Sequence, residues 1–243
     1  MSEKLPAVVS DNNDELISSF ELSIEKDNLT EVFVNASEFG LDLLIDNPIV
    51  KDIPIVGLLV GSYKVTKNIK DFRFAQKIAK YIYGQKDKSI AERTKFIEDF
   101  CESNQEHNCS ILLDVIDRID NVNKIGILCN LVDAEISGQI TIKQFNRLIV
   151  ALERVPFSDL SSLKNYLDDY YNSGETEILY GAGLVYQSII DGGVADADED
   201  ENDEDGCKYK LSQNGLLLLQ YGMKVNSSDD FQHSQRIPGL EWK

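Results

Sequence analysis

The stretch Ile53–Gly84 limits what this chain can fold into more than any other part of the sequence. It opens with eleven uncharged residues, Ile53–Tyr63, and continues as a basic pattern in which apolar residues recur at the three- and four-residue spacing of a helix. As a helix, the uncharged part would cover about 16 Å, whereas the hydrocarbon core of a bilayer is about 30 Å thick. We therefore predict a helical hairpin arm that does not span a membrane and is buried on its Ile53–Val60 and Ile69–Phe72 side.

Charge separates this arm from the rest of the chain. Ten basic and three acidic residues lie between Lys64 and Lys95, although the whole chain has 24 Lys and Arg against 42 Asp and Glu and a net charge of −18. The overall charge argues against a general attraction to nucleic acid or anionic lipid, so the arm is a local exception. Four cations are predicted to line one helix face, which we interpret as a candidate surface for a partner or for lipid: Lys70, Arg73, Lys77 and Lys80. The alternative is a solvated face that pairs with the protein's own acidic surface.

Helical spacing continues through most of the chain. Its 243 residues are 42% hydrophobic and 27% charged, which is typical of a globular protein. The sequence predicts a mainly α fold, a multi-helix bundle with a small β-hairpin in a winged-helix-like C-terminal part. Gly84 is predicted to end the arm as the glycine that follows a helix, and Ser89 with Glu92 to form a capping box. Further predicted helices are Leu16–Ile24, Leu29–Ile45, Ile111–Ile119, Lys124–Val132 and Ile142–Leu152.

Composition shifts along the chain suggest four parts. Residues 1–13 are predicted to be a disordered tail, and residues 14–156 a helical domain. Residues 157–225 are predicted to form the winged-helix-like subdomain with an acidic loop at 192–206, and residues 226–243 a second tail.

Cysteine usage and the N-terminus suggest a compartment. A chain of this length can bury a core without disulfides, and no apolar signal segment follows Met1. We therefore predict a cytoplasmic protein with reduced thiols at Cys101, Cys109, Cys129 and Cys207.

The segment Asp133–Phe145 is similar in spacing to a calcium-binding EF-hand loop. Positions 1, 3, 5, 6, 9 and 12 of such a loop would be Asp133, Glu135, Ser137, Gly138, Thr141 and Gln144. Gln144 stands where the bidentate glutamate belongs, which leaves only two formal negative charges for a cation. We therefore predict a helix–loop–helix connection and no metal site, with Gly138 making the turn and Thr141 capping the second helix.

Catalytic signatures are missing from the sequence. It has no P-loop, GxSxG, HExxH or CxxC motif, and only His107 and His233 would titrate near neutral pH. The spacing of His107 from its two neighbouring cysteines does not match that of zinc ligands. The row Asp114, Asp117 and Asp120 is predicted to be a solvated helix face. We predict a protein that is not an enzyme and needs no cofactor.

The C-terminal third is predicted to run as helix, strand, loop, strand and helix. Leu179, Gly183 and Leu184 precede the loop, and Tyr209-x-Leu211-Ser212-x-x-Gly215 follows it. This pattern resembles the "GL(I/V) … YxLTxxG" ending of bacterial winged-helix-like domains. The loop carries eight acidic residues between Asp196 and Asp205, which would repel nucleic-acid phosphates. A structural or protein-binding wing is therefore favoured over a DNA reader.

The order of parts between Ile49 and Tyr221 is similar to that in a loose group of uncharacterised bacterial helical proteins, some linked to abortive infection and phage defence. That resemblance implies no catalytic residues. We expect a non-catalytic interaction or regulatory protein with a protein partner, acting in anti-phage defence. The alternatives are an effector that binds or perturbs a membrane surface through the arm, and a regulator linked to nucleic acid.

Overall fold

The computed structural model describes residues 7–27, 29, 51–66, 68–105, 109–167, 174–188 and 208–225. Over these residues the protein is mainly helical, and its strands form one two-stranded antiparallel sheet. This confirms the predicted fold class. The following predictions lie outside the described residues: the helix Leu29–Ile45 beyond Leu29, the acidic loop 192–206, the tail 226–243, Cys207, and both histidines, His107 and His233.

Backbone contacts divide the chain into two compact units, Met1–Phe145 and Asn146–Lys243. The division lies eleven residues before the predicted domain boundary at residue 156. The predicted boundary stays a prediction. The first helix begins at Ala7, inside the segment 1–13 that was predicted as a disordered tail. The predicted tail therefore overlaps this helix over Ala7–Asn13, and the bounds of the tail stay a prediction.

The N-terminal unit is built from helices. They are α1 (Ala7–Ile24), α2 (Pro54–Thr66), α3 (Ile69–Gly84), α4 (Ile90–Ser103), α5 (Ser110–Arg118), α6 (Val122–Ile136) and the start of α7 (Ile142–Arg154), which continues past Phe145. Ser89 caps α4 in a complete capping box with Glu92, as predicted. The helices predicted at Ile111–Ile119, Lys124–Val132 and Ile142–Leu152 are also confirmed.

The predicted arm consists of α2 and α3, and most of its apolar side is in the core. Helix α2 packs against α1 and α3, and α3 also packs against α6. Val56 and Leu59 are buried, as predicted. Ile69 is 67% exposed, so its predicted burial is wrong. It lies in the first turn of α3, whereas the buried residues of α3 begin at Ala75.

Gly84 serves a different purpose from the predicted one. It is the last helical residue of α3 and does not adopt the positive φ of a glycine that follows a helix, and Gln85 is the C-cap. A side chain at Gly84 would place its Cβ 2.8 Å from the Cβ of Cys129 on α6, closer than real atoms approach. The glycine is therefore required for the close packing of α3 on α6.

The C-terminal unit contains the predicted hairpin. Its elements after α7 are α8 (Phe157–Leu160), a 3-10 turn (Ser161–Tyr166), α9 (Thr176–Gly181), β1 (Val185–Ser188), β2 (Lys208–Leu211) and α10 (Gln213–Leu217), which continues as a π-helical turn (Leu218–Gly222). The strands pair antiparallel in a register that places Val185 opposite Leu211 and Tyr186 opposite Lys210. Val185 and Leu211 are buried, and Tyr186 is partly exposed, as the alternation of side chains in a strand requires.

The residues of the winged-helix-like pattern meet at the base of this hairpin. Gly183 has a φ of 74° and ends α9, where the amide of Leu184 donates to the carbonyl of Leu179 at 2.9 Å. The Ser212 hydroxyl donates to the carbonyl of Gly183 at 2.7 Å and accepts from the amide of Gly215 at 3.1 Å. A Cβ at Gly215 would collide with the carbonyl of Leu184. Each small or hydroxyl residue of the pattern thus has a structural reason.

Candidate partner-binding groove

Two cations on the first half of α3 are exposed. Asn68 caps the helix, and its side-chain oxygen accepts from the amide of Lys70 at 3.1 Å. Lys70 and Arg73 follow one turn apart and are exposed. No acidic side chain of the described residues forms an ion pair with either of them. Their charges are therefore available to a ligand.

Lys77 is buried and does not share this exposed face. Only 8% of the residue is exposed, and its Nζ donates to the backbone carbonyls of Asp117 and Ile119, the latter at 3.1 Å. These carbonyls lie at the C-terminal end of α5, where unsatisfied acceptors favour a cation. Burial lowers the pKa of the Lys77 ammonium, and the charge of Asp117, with its carboxylate oxygen 3.7 Å from Nζ, opposes that shift.

Lys80 is half-buried and packs against α6. A Cβ built on Gly126 of α6 would lie 3.8 Å from Lys80 Cε, so the aliphatic part of the lysine covers that helix. Desolvation lowers the pKa of the Lys80 ammonium. The four cations therefore do not form one exposed surface, because Lys77 packs against α5 and Lys80 against α6. Their predicted role in binding a partner or lipid stays a prediction.

The exposed cations border a cavity of about 590 Å³ between α3 and the junction of α5 with α6. This cavity, which we call the basic groove, is lined by Lys70, Arg73, Gln76, Lys77, Asp117, Ile119, Asp120, Asn121 and Val122. Its volume is within the range of about 300–1,000 Å³ that is common for ligand sites.

The acidic residues of the groove already have basic partners. Asp117 interacts with Lys77, and Asp120 forms an ion pair of 2.6 Å with Lys124, which is completely buried. The charge that remains unbalanced belongs to Lys70 and Arg73. The sequence identified these two cations. The predicted solvated face of Asp114, Asp117 and Asp120 is confirmed, since all three are exposed. The sequence did not show that Asp117 and Asp120 also pair with the buried Lys77 and Lys124.

The predicted helix–loop–helix connection is confirmed at Asp133–Phe145. Gly138 has a φ of 70°, and Thr141 and Gln144 exchange hydrogen bonds at 2.8 and 3.3 Å in a reciprocal cap of α7. Asp133 and Glu135 belong to α6, and Asp133 forms an ion pair of 3.1 Å with Lys88. The resemblance to an EF-hand loop is therefore one of spacing. Among the described residues, no cluster of three or more His, Cys, Asp or Glu side chains could hold a metal ion.

A smaller cavity of about 230 Å³ lies between α1 and α4. It is lined by Glu21, Ile24, Glu25, Thr94, Ile97, Glu98, Cys101 and Cys109. Burial, reinforced by Glu21, raises the pKa of the Cys109 thiol to about 12, and this thiol donates to the Glu21 carboxylate at 3.6 Å. A thiol of that pKa is protonated at neutral pH and is a poor nucleophile, so this cavity offers little catalytic chemistry.

No protein-family model, curated protein or solved structure matches this chain. Among the helices of the described residues, none combines the length and the apolar composition needed to cross a bilayer.

Proposed function

We propose that this protein is a non-catalytic interaction module that binds a partner at the basic groove. The observation that carries the proposal is the exposure of Lys70 and Arg73, one turn apart, in a chain of net charge −18. Lys70 and Arg73 form no ion pair with an acidic side chain of the described residues, whereas Lys77 is paired with Asp117. Two unpaired cations beside a cavity fit an external anionic group better.

A protein partner fits the arm better than a membrane surface does. A helix that lies on lipid places its apolar face among the acyl chains. The apolar face of α3, including Ile78, Ala79 and Ile82, is buried inside the N-terminal unit. The only strongly exposed apolar residue of the described part of α3 is Ile69, which offers too little area for stable insertion.

Nucleic acid is the less favoured ligand for the same surface. Two cations can neutralise few phosphates, and affinity for a duplex depends on many such contacts. The side chains of Asp117 and Asp120, on the opposite wall, are more than half exposed and would repel a polyanion. A role in anti-phage defence and a cytoplasmic location stay predictions made from the sequence.

Affinity capture with a charge-reversed groove tests the proposal. The tagged full chain, the variant Lys70→Glu/Arg73→Glu and the control Lys143→Glu/Arg147→Glu are used as baits, with bound proteins measured by quantitative mass spectrometry. Lys143 and Arg147 are exposed on α7, so the control has the same net charge as the groove variant. We expect one bound protein shared by the wild type and the control, and at least about tenfold depleted on the groove variant, a loss of about 1.4 kcal/mol or more.

The proposal fails if no protein is enriched on the wild type, or if the groove variant retains every protein that the control retains. Circular dichroism of the three baits should be the same, because surface substitutions usually change stability by about 0.5 kcal/mol or less. Salt-sensitive binding to vesicles rich in phosphatidylglycerol, lost only in the groove variant, would replace the proposal with the membrane-surface alternative.

A further inference from the structure

The charges of the basic groove describe what a ligand must bring. Lys77 is held by Asp117 and two backbone carbonyls, and Lys124 is held by Asp120. Lys70 and Arg73 remain, and their Cβ atoms are about 5–6 Å apart at a separation of three helical residues. That spacing suits two carboxylates from neighbouring residues of a peptide, or one carboxylate bound by both cations.

An apolar contact lies next to this pair of charges. Ile69 is 67% exposed and precedes Arg73 by four residues, so both side chains are on the same face of α3. Phe72, in the same turn, is half-buried beside it. When an apolar side chain of a ligand packs on Ile69, apolar surface of both is removed from water, which favours binding.

The opposite wall limits the charge of the ligand. The side chain of Asp117 is 70% exposed and that of Asp120 is 60% exposed, so both carboxylates face the solvent of the groove. Repulsion from them grows with the charge on the ligand, which disfavours a phosphate dianion more than a single carboxylate. The same wall is held in place by the Lys77 contacts to the end of α5, so little ordering is needed when a ligand binds.

We propose that the basic groove, taken as the partner-binding surface proposed above, binds an acidic peptide segment that carries an aliphatic side chain beside its carboxylates. The carboxylates bind Lys70 and Arg73, and the aliphatic side chain packs on Ile69. The ligand is therefore a short segment of a partner protein in which one or two acidic residues stand next to an aliphatic residue.

Fluorescence anisotropy of the full chain with labelled nonapeptides tests this assignment. One peptide has a single Glu-Glu-Leu sequence flanked by Gly and Ser residues, a second replaces its Leu by Ser, and a third replaces both Glu by Gln. We expect saturable binding of the first peptide, at least about tenfold weaker binding of the third, and binding of the second weakened by about three- to tenfold. The groove variant Lys70→Glu/Arg73→Glu should lose at least about tenfold in affinity for the first peptide, and the control Lys143→Glu/Arg147→Glu should not.

Ile69→Ser separates the apolar contact from the charges. It should lower the affinity for the Glu-Glu-Leu peptide by about three- to tenfold, because the contact between the peptide's Leu and Ile69 is lost. The affinity for the Glu-Glu-Ser peptide should stay within about twofold of the wild-type value, because that peptide makes no such contact. An equal loss for both peptides would overturn the assignment of Ile69. The acidic–aliphatic ligand class would be overturned if the Glu-Glu-Leu peptide showed no saturable binding. It would also be overturned if the Glu-Glu-Ser peptide, phosphorylated on the Ser that replaces Leu, bound more tightly than the Glu-Glu-Leu peptide.

The two proposals fail separately. If affinity capture finds a partner that depends on Lys70 and Arg73, but an excess of the Glu-Glu-Leu peptide does not displace it, the interaction function stands and the ligand class is wrong. If the peptide binds and no partner depends on these cations, the function is wrong although the groove has the proposed chemistry.

Discussion

The two halves of α3 have similar residues and opposite surroundings. The first half contributes Ile69, Lys70 and Arg73, all exposed, and the second half contributes Lys77 and Ile78, both buried. Both halves contain two cations and apolar residues at helical spacing. The halves differ in what packs against them: α6 and the end of α5 cover α3 only from its middle onwards.

This difference shows that a lysine can belong to a core when a helix end supplies its acceptors. Lys77 satisfies two carbonyls that α5 leaves without partners, whereas Lys70 and Arg73 have no such end to meet. The contrast between a structural half and a binding half of one helix can be tested by substitutions that should affect only one of them.

The largest effect is expected where α3 packs most tightly. Gly84→Ala should lower the free energy of unfolding by about 3 kcal/mol, because its Cβ would overlap Cys129 and the two helices would have to move apart. Urea unfolding measures this change. Gly61→Ala in α2 is the control: nothing lies within 4 Å of a Cβ there, so it should stabilise by up to about 1 kcal/mol through helix propensity. Equal effects of both substitutions would show that the packing of α3 on α6 is not close.

A smaller loss is expected when the buried cation is removed. Lys77→Met keeps the aliphatic chain but leaves the carbonyls of Asp117 and Ile119 without their charged donor, which should cost about 2 kcal/mol. Arg73→Met, one turn earlier and exposed, should change the free energy of unfolding by no more than about 0.5 kcal/mol. Comparable losses for the two variants in urea unfolding would contradict the division of α3 into halves.

The smallest effect depends on pH. Burial raises the pKa of the Cys129 thiol from 9.0 to about 12, so the native state keeps a proton that the unfolded chain releases. The stability this provides is complete below pH 9 and is lost as pH rises through 12, by up to about 1.4 kcal/mol per pH unit. The pKa values of Lys77 and Lys80 are lowered, which adds stability as pH rises towards 10.5 and opposes the thiol.

The contribution of Lys77 and Lys80 to the pH dependence cancels when the wild type is compared with Cys129→Ala, because both proteins contain these lysines. The advantage of the wild type, measured by urea unfolding from pH 8 to pH 10, should change little up to pH 9 and then shrink, by about 1.4 kcal/mol in all. A constant difference would mean that the Cys129 thiol ionises as easily in the native protein as in the unfolded chain.

Local signals predicted much of the fold. The capping box of Ser89 and Glu92 and the turn at Gly138 were predicted correctly because each depends on residues close in sequence. The prediction for Gly84 was wrong because a glycine at a helix end has two uses, and only the neighbouring helix decides between them. The same limit applies to Ile69, whose spacing is that of a buried residue although nothing covers it.

The candidate site was only half predictable. Lys70 and Arg73 could be found because a cluster of cations in an acidic chain is visible in the sequence. Their separation from Lys77 could not, because it depends on where residues 117–122 meet α3, about forty positions further along the chain. Spacing along one helix says which side chains share a face, but not how much of that face a distant element will cover.

The hairpin of the C-terminal unit is closed at its base by Ser212, which binds the carbonyl of Gly183 and whose amide binds the carbonyl of Leu184 at 2.9 Å. These bonds join the start of β1 to the end of β2, so the strands are held in register from the base of the hairpin, away from residues 189–207. Insertions and deletions are therefore expected to accumulate in that segment during evolution, while the serine and the two glycines at its base stay the same.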